Sequence, residues 1–564
     1  MTVDHILKGD ERSAVPRRGR AATAWTLAAA LAAILVSVPM IAVGVHVFEP
    51  AGEVWRHLVA TVLWRYIGNT LALVLGVGAL TLVFGVGTAW LVTMCRFPGR
   101  KIYEWALLLP LAVPAYAIAF AYGGMTDFAG PFQSALRSAF GWSKGDYWFP
   151  DARSLGGAIA VLSFVLYPYV YMLARAAFLE QSVCALEVSR LLGRGPWRSF
   201  GEVALPLARP AIFTGLALVL METLADFGAV QYLAVDTFTT GIFRTWFGLG
   251  DHGAAAQLAA LLMALVLAVL IGEQVLRGRR RFHHTSSRYR PLPGYELAGA
   301  PAWGASFACA LPILLGFVLP GGQLLIWGAK SAATLDAAFF GFAATSIGLA
   351  AVAALVALAV ALVLAYGQRL DPSRPMRVAV RVASLGYAIP GSVIAVGVLV
   401  PFAKFDNAVD AWMRASFGVS TGLLLSGTVF AMIFAYLVRF LAISFQTVEA
   451  SLGKVTPSMD RAARSLGATP AETLRRVHMP IIAPSLLTAT LLVFVDVMKE
   501  LPATMILRPF DTTTLAVRAF ELAADERLAE ASLPALAIVA AGLGPVVLLS
   551  LAIARARPGR LDGP

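Results

Sequence analysis

Residues 189–206 read SRLLGRGPWRSFGEVALP, a charged stretch broken by two prolines and set between very apolar neighbours. It returns 274 residues later at residues 463–480, as ARSLGATPAETLRRVHMP. Six of the eighteen positions are identical: Arg190/Arg464, Leu192/Leu466, Gly193/Gly467, Pro196/Pro470, Val203/Val477 and Pro206/Pro480. A polar loop repeated inside an apolar chain implies a duplicated unit, and the rest of the sequence supports one.

The chain is 59% hydrophobic and 14% charged, against about 25% charged in ordinary soluble domains. About twelve apolar stretches reach the ~20 residues a membrane helix needs: roughly 23–48, 66–95, 103–126, 155–179, 207–233, 254–276, 303–328, 341–367, 379–403, 421–445, 481–507 and 533–554. The first follows a basic tail with Arg12, Arg17, Arg18 and Arg20. Its apolar run is longer than a signal peptide's and no clean small-residue cleavage site follows, so it reads as an uncleaved span. With the N-terminus in the cytoplasm, the tails and the loops after even spans hold about 30 of the 45 Lys and Arg, the bias the positive-inside rule expects. Both termini are therefore expected in the cytoplasm. The net charge of +12 reads as topology rather than as a nucleic-acid patch, including the run RGRRRFHHTSSRYR at 277–290. Cys95, Cys184 and Cys309 are widely spaced and suggest neither a disulfide framework nor a zinc site.

The duplication extends past the loop. LAVPAYAIA around Pro114 matches YAIPGSVIA around Pro390, and Pro210 pairs with Pro484. Six spans per unit return the chain to its starting side, so the copies run parallel about an axis along the membrane normal. The expected class is an all-α polytopic membrane protein of two six-span repeats. Its parts are a cytoplasmic tail (1–22), a first half (23–276), a basic linker (277–302), a second half (303–554) and a cytoplasmic tail (555–564). Both loops follow an even span and face the cytoplasm.

The loop's local form is also legible. A helix runs to Gly193 or Gly467, where glycine suits the left-handed helix end. Pro196 or Pro470 opens a short second helix at a position where its missing N–H is harmless. Thr469 and Glu472 form a capping box around that start. Pro206 and Pro480 mark the passage into the next span. Two such rigid knobs on one face suit docking onto a two-fold partner; a well-capped loop without a partner is the plainer alternative.

This loop resembles the cytoplasmic signature of ABC-importer permeases: EAA, three residues, Gly, nine residues, an apolar residue, one residue, Leu-Pro. In copy one, Glu187, Gly193, Val203 and Leu205-Pro206 fit it, with Val188 and Ser189 for the alanines. In copy two, Ala462, Ala463, Gly467, Val477 and Pro480 fit; Met479 replaces Leu and Arg461 stands at the Glu position, with Asp460 beside it. The resemblance implies the type I importer permease fold and two copies of an ATP-binding subunit docked on these loops. It also implies a periplasmic solute-binding protein and residence in a bacterial inner membrane. Residues 225–247 and 499–516 look like the ferric-iron permeases in which two halves are fused, which makes ferric iron the expected solute; fused permeases for thiamine and for phosphonates are similar overall.

No G-x-x-x-x-G-K-[ST] loop occurs, so ATP and its Mg²⁺ are expected in the partner. No H-E-x-x-H is present and no paired catalytic carboxylates stand in a soluble context, and no catalytic residue, cofactor or metal ligand is assigned. An ion-driven secondary transporter is the competing class, but it would have no use for a docking loop. An embedded enzyme or signalling protein is disfavoured by the lack of a sizeable soluble domain.

Span five carries Glu222 and Asp226; span eleven carries Asp496 and Glu500 at the matching positions. The i, i+4 spacing places each pair on one helical face, and Asp226 is expected ~30 Å into the membrane from Pro206. Intramembrane acids line a cavity or find a partner. One reading makes the four a transient acidic lining for a cation; the other pairs them with Lys499 or Arg244, or has them cap helix ends. Met221, Met498, Tyr167, Tyr169 and Tyr171 read as packing residues.

Overall fold

The computed structural model describes residues 20–50, 52–143, 145–180, 195–277 and 295–555. Among the described residues, eleven helices are long and apolar enough to cross a membrane. A bent pair, Arg100–Ala112 and Ala115–Phe140, turns through 90° and makes a twelfth. The third span is thus not the continuous helix expected over 103–126. It breaks at Val113 and Pro114, because proline disfavours helical geometry in the residue before it and cannot donate its own N–H. Val113 is extended there (φ −100°, ψ 128°). The repeat breaks alike: Ile389 is extended (φ −84°, ψ 107°) and a new helix, Gly391–Phe417, starts after Pro390. The ninth span accordingly lies later than the expected 379–403.

Spans five and eleven are also shorter than expected. Leu205–Ala225 stops before Asp226, and Met479–Met498 stops before Glu500. Short helices follow in both halves: Gly228–Tyr232 and Phe238–Phe243, then Pro502–Leu507 and Leu515–Ala524. Gly228–Tyr232 packs on the helix after Pro114, and Pro502–Leu507 on the helix after Pro390. Matching side chains anchor both segments. Thr70 Oγ1 accepts from the Phe238 N–H (3.4 Å), and Ser346 Oγ, 276 residues later, accepts from the Leu515 N–H (2.8 Å).

The two halves exchange their first spans. Arg20–Val45 packs on Ala337–Leu370, Arg374–Ala383 and Gly391–Phe417 of the second half. Trp25 meets Tyr366 edge-on at 5.3 Å, and Thr26 Oγ1 donates to Asp371 Oδ2 at 2.7 Å. The helical run Ala300–Lys330 reaches back to the first half, where Tyr122 donates to the Leu315 carbonyl (2.6 Å) and the Tyr103 and Ser306 hydroxyls lie 2.8 Å apart. A two-residue parallel pairing, Cys95–Arg96 with Tyr295–Glu296, adds to this connection. Cys95 and Cys309 are free and buried.

Candidate functional sites: a repeated loop and an acidic cavity

In the second copy the loop has the form its sequence dictates. Helix Pro457–Ser465 ends at Gly467, whose φ is +82°. The Gly467 N–H donates to the Arg464 carbonyl and the Ala468 N–H to the Ala463 carbonyl, both at 3.0 Å. These are the two bonds of a Schellman helix end, which needs a left-handed residue here. The Glu472 N–H donates to Thr469 Oγ1 (3.3 Å) and the Thr469 N–H to Glu472 Oε2 (2.9 Å), closing the capping box before Pro470–Thr473. A single π-helical stretch, Leu474–His478, then joins this helix to Met479–Met498. Pro480 therefore lies in the first turn of the span rather than between two separated helices.

The fastening of this loop was not apparent from the motif. Asp460 accepts from Arg369 Nε (2.9 Å) and lies 2.5 Å from His478 Nε2. Arg369 also donates to the carbonyls of Leu452 (2.6 Å) and Val455 (2.8 Å), and Tyr366 donates to the Pro470 carbonyl (2.8 Å). The end of span eight thus holds both arms of the loop. The carboxylate that does this is Asp460, one residue before the signature's Glu position; Arg461 and Ala462 face outward and Ala463 is buried. The one-residue displacement of the acid was the only trace of this in the sequence. At the turn, Leu466 is 87% exposed, an apolar side chain presented on a rigid base.

In the first copy Glu187 and Gly193 lie outside the described residues. The remainder repeats the second copy: Pro196–Ser199, a π-helical stretch Phe200–Ala204, then Leu205–Ala225 with Pro206 in its first turn. The sequence counterparts of Asp460 and His478 are Leu186 and Ala204, so copy one carries neither the acid nor the imidazole at these two positions.

The four intramembrane acids do converge. Glu222, Asp226, Asp496 and Glu500 line one cavity of about 110 Å³ between the halves. They reach it differently from the expected i, i+4 faces. Asp226 and Glu500 sit past the ends of their helices, where the chain breaks, and turn back to cap the next short helix. Asp226 Oδ1 accepts from the Ala229 and Val230 N–H groups (3.1 and 3.0 Å), and Glu500 Oε1 from the Ala503 N–H (2.9 Å). Glu222 and Asp496 remain on the helices, and Tyr387 donates to Glu222 Oε1 at 3.2 Å. Tyr169 also lines the cavity and is not a mere packing residue. Met221, Met498, Tyr167 and Tyr171 are buried as expected.

The cations are not repeated. Lys499 pairs with Asp496 and Arg439 with Glu500, both at 2.8 Å. Their first-half counterparts are Ala225 and Val165. Among the described residues, Glu222 and Asp226 have no cation within ion-pair distance. Arg244, an expected partner, pairs with Asp236 instead (2.9 Å). The room for Arg439 comes from Gly391: a methyl group there would overlap its guanidinium and the Glu500 carboxylate. Ala115 holds the equivalent place opposite Val165, where no such pair needs space. Four carboxylates against two cations leave the lining acidic, with the imbalance on the first half.

Residues 81–281 match the family model described as the binding-protein-dependent transport system inner membrane component. The molybdenum transport system permease protein ModB of Escherichia coli is 30% identical over 196 residues, 34% of this chain and 82% of that protein. The chain belongs to this family of transport permeases. The similarity spans both halves. The Fe(3+)-transport system permease protein FbpB 2 of Haemophilus influenzae is 27% identical over 527 residues, 92% of this permease and 96% of the relative. The putative ferric transport system permease protein FbpB 1 of the same organism is 26% identical over 483 residues, 82% of the permease and 73% of the relative. The resemblance seen in the repeated loop thus extends to nearly the whole chain, and the permease function follows from the family.

Proposed function

We propose that this permease forms the path of an importer for ferric iron, delivered by a periplasmic binding protein and driven by a separate ATP-binding subunit. The observation that carries the solute reading is the acidic cavity. Matched carboxylates of the two halves meet there, and hard oxygen groups suit a hard cation. The names of the full-length relatives point the same way. An oxyanion is the second reading, favoured by Arg439 and Lys499 in the lining and by the relative named for molybdenum transport; the surplus of acids weighs against it.

In this reading both termini lie in the cytoplasm and the loops at 187–206 and 461–480 each receive one copy of the ATP-binding subunit. The exposed Leu466, carried on a glycine turn and tied back through Asp460, supports docking. An apolar side chain that fills a partner's pocket is the kind of contact that dominates an interface. Leu466→Asp should therefore lower co-purification of the ATP-binding subunit at least ten-fold while the permease remains monodisperse in detergent. Retention at the wild-type level would remove this loop from the docking site.

A further inference from the structure

A second cavity, of about 430 Å³, lies beside the acidic one and is lined by Arg153, Gln231, Tyr232, Phe243, Phe520 and Glu526, among others. Arg153 precedes span four and Glu526 precedes span twelve, the spans that enter from the side opposite the docking loops. Phe227 lines both cavities. It is 3% exposed and sits at the chain break, directly after Asp226. Its ring stacks on Phe243 (3.7 Å between centroids, 15° between planes) and lies 5.5 Å from Phe520 of the other half. Phe120 and Tyr232 extend the cluster, with Phe120 6.3 Å from Phe520 and 4.8 Å from Tyr232.

The halves are also tied across this wall. Arg153 Nη2 lies 2.5 Å from Glu526 Oε1, and its guanidinium rests over the Tyr232 ring at 5.1 Å. Glu526 takes φ +58° after helix Leu515–Ala524, a left-handed helix end where glycine is the favoured residue. A glutamate in that position orders a side chain that glycine lacks, and that side chain is the one reaching the other half.

We propose that Phe227, held between Phe243 and Phe520, is the outward gate of the translocation path, closed in this conformation and stayed by the Arg153–Glu526 tie. A stacked aromatic pair presents an apolar, close-packed barrier that a hydrated ion does not cross. Its position at a break between two helices lets the ring leave by rotation of a few backbone angles, without bending a span. The second half places Leu501 at the equivalent position, so the barrier is built chiefly by one half. This inference rests on the transport reading but not on the identity of the solute.

The test is passive flux through vesicles carrying the full permease assembled with its ATP-binding subunits, without ATP or binding protein, using radioactive rubidium and sulfate as probes. Phe227→Ala is expected to raise rubidium flux at least ten-fold over wild type, with Phe227→Leu near wild type. Arg153→Gln should leak less than Phe227→Ala, since a half-exposed ion pair contributes little. Should Phe227→Ala fail to assemble, Phe520→Ala removes the other half's side of the barrier and must meet the same ten-fold criterion. Flux at the wild-type level in the assembled variants overturns the gate. A leak of sulfate in place of rubidium keeps the gate and overturns the cationic reading of the cavity, so the two fail separately.

Discussion

Arg439→Met is expected to lower the yield of folded permease in membranes at least ten-fold, and Glu500→Gln in the same chain should restore much of it. Arg439 and Glu500 are 8% and 5% exposed and 2.8 Å apart. Removing one partner of a buried pair leaves the other charge without compensation, a loss of about 3–5 kcal/mol. A tenfold change in a folding equilibrium needs only about 1.4 kcal/mol, so the effect should be plain even if the pair is partly hydrated. Glutamine keeps the bond to the Ala503 N–H and carries no charge, which is why the double variant recovers. Lys499→Met should be milder, because Lys499 and Asp496 have side chains 25% and 21% exposed. The measurement is the monodisperse fraction in detergent for each single variant and the double. Equal yields for wild type and Arg439→Met would show that the pair does not support the fold.

Gly467→Pro is expected to abolish association with the ATP-binding subunit, a loss of at least a hundred-fold, without loss of the spans. Proline fixes φ near −65°, whereas Gly467 needs +82° and uses its N–H to close the helix end on Arg464. The turn would have to reorganise, carrying Leu466 with it. Gly467→Ala retains the N–H and should be weaker, since left-handed geometry costs an L-residue roughly 1–2 kcal/mol. Pull-down of the ATP-binding subunit by proline, alanine and wild-type permease gives the ranking directly. Equal retention by all three would mean that the turn does not set the docking surface.

The difference between what the sequence discloses and what it conceals is physical. Gly467 and the Thr469–Glu472 box were legible because a helix end is a local event, set by φ and by partners within a few residues. The spans were legible because each is a long run of one property. The breaks after Ala225 and Met498 were not, since apolar residues resume directly beyond each of them and a change of backbone angles leaves no mark on composition. This is why Asp226 and Glu500 read as members of a helical face when they are caps beyond its end. Asp460 was hidden for a different reason: its partners Arg369 and His478 are 91 and 18 residues away, and only the packed chain brings them together. The exchange of Arg20–Val45 and Ala300–Lys330 between the halves is likewise a tertiary fact, since an apolar span carries no label for the half it packs against. The absence of repeated cations, by contrast, was open to view. Ala225 and Val165 stand opposite Lys499 and Arg439 in the duplication, and comparing the halves for what differs would have singled out Glu222 and Asp226 as the acids without a paired cation.

These two acids give the most direct test of the path. Glu222→Gln with Asp226→Asn removes both carboxylates that lack a cationic partner among the described residues. It keeps an acceptor for Tyr387 and for the Ala229 and Val230 N–H groups, and it leaves no charge stranded. The measurement is uptake of radioactive ferric iron, and separately of molybdate, per assembled complex in vesicles supplied with ATP and the binding protein. Wild type is expected to accumulate iron and not molybdate, and the double variant to assemble normally but import iron at least ten-fold more slowly. Wild-type iron uptake per complex in the double variant, or molybdate as the imported ion, would contradict it.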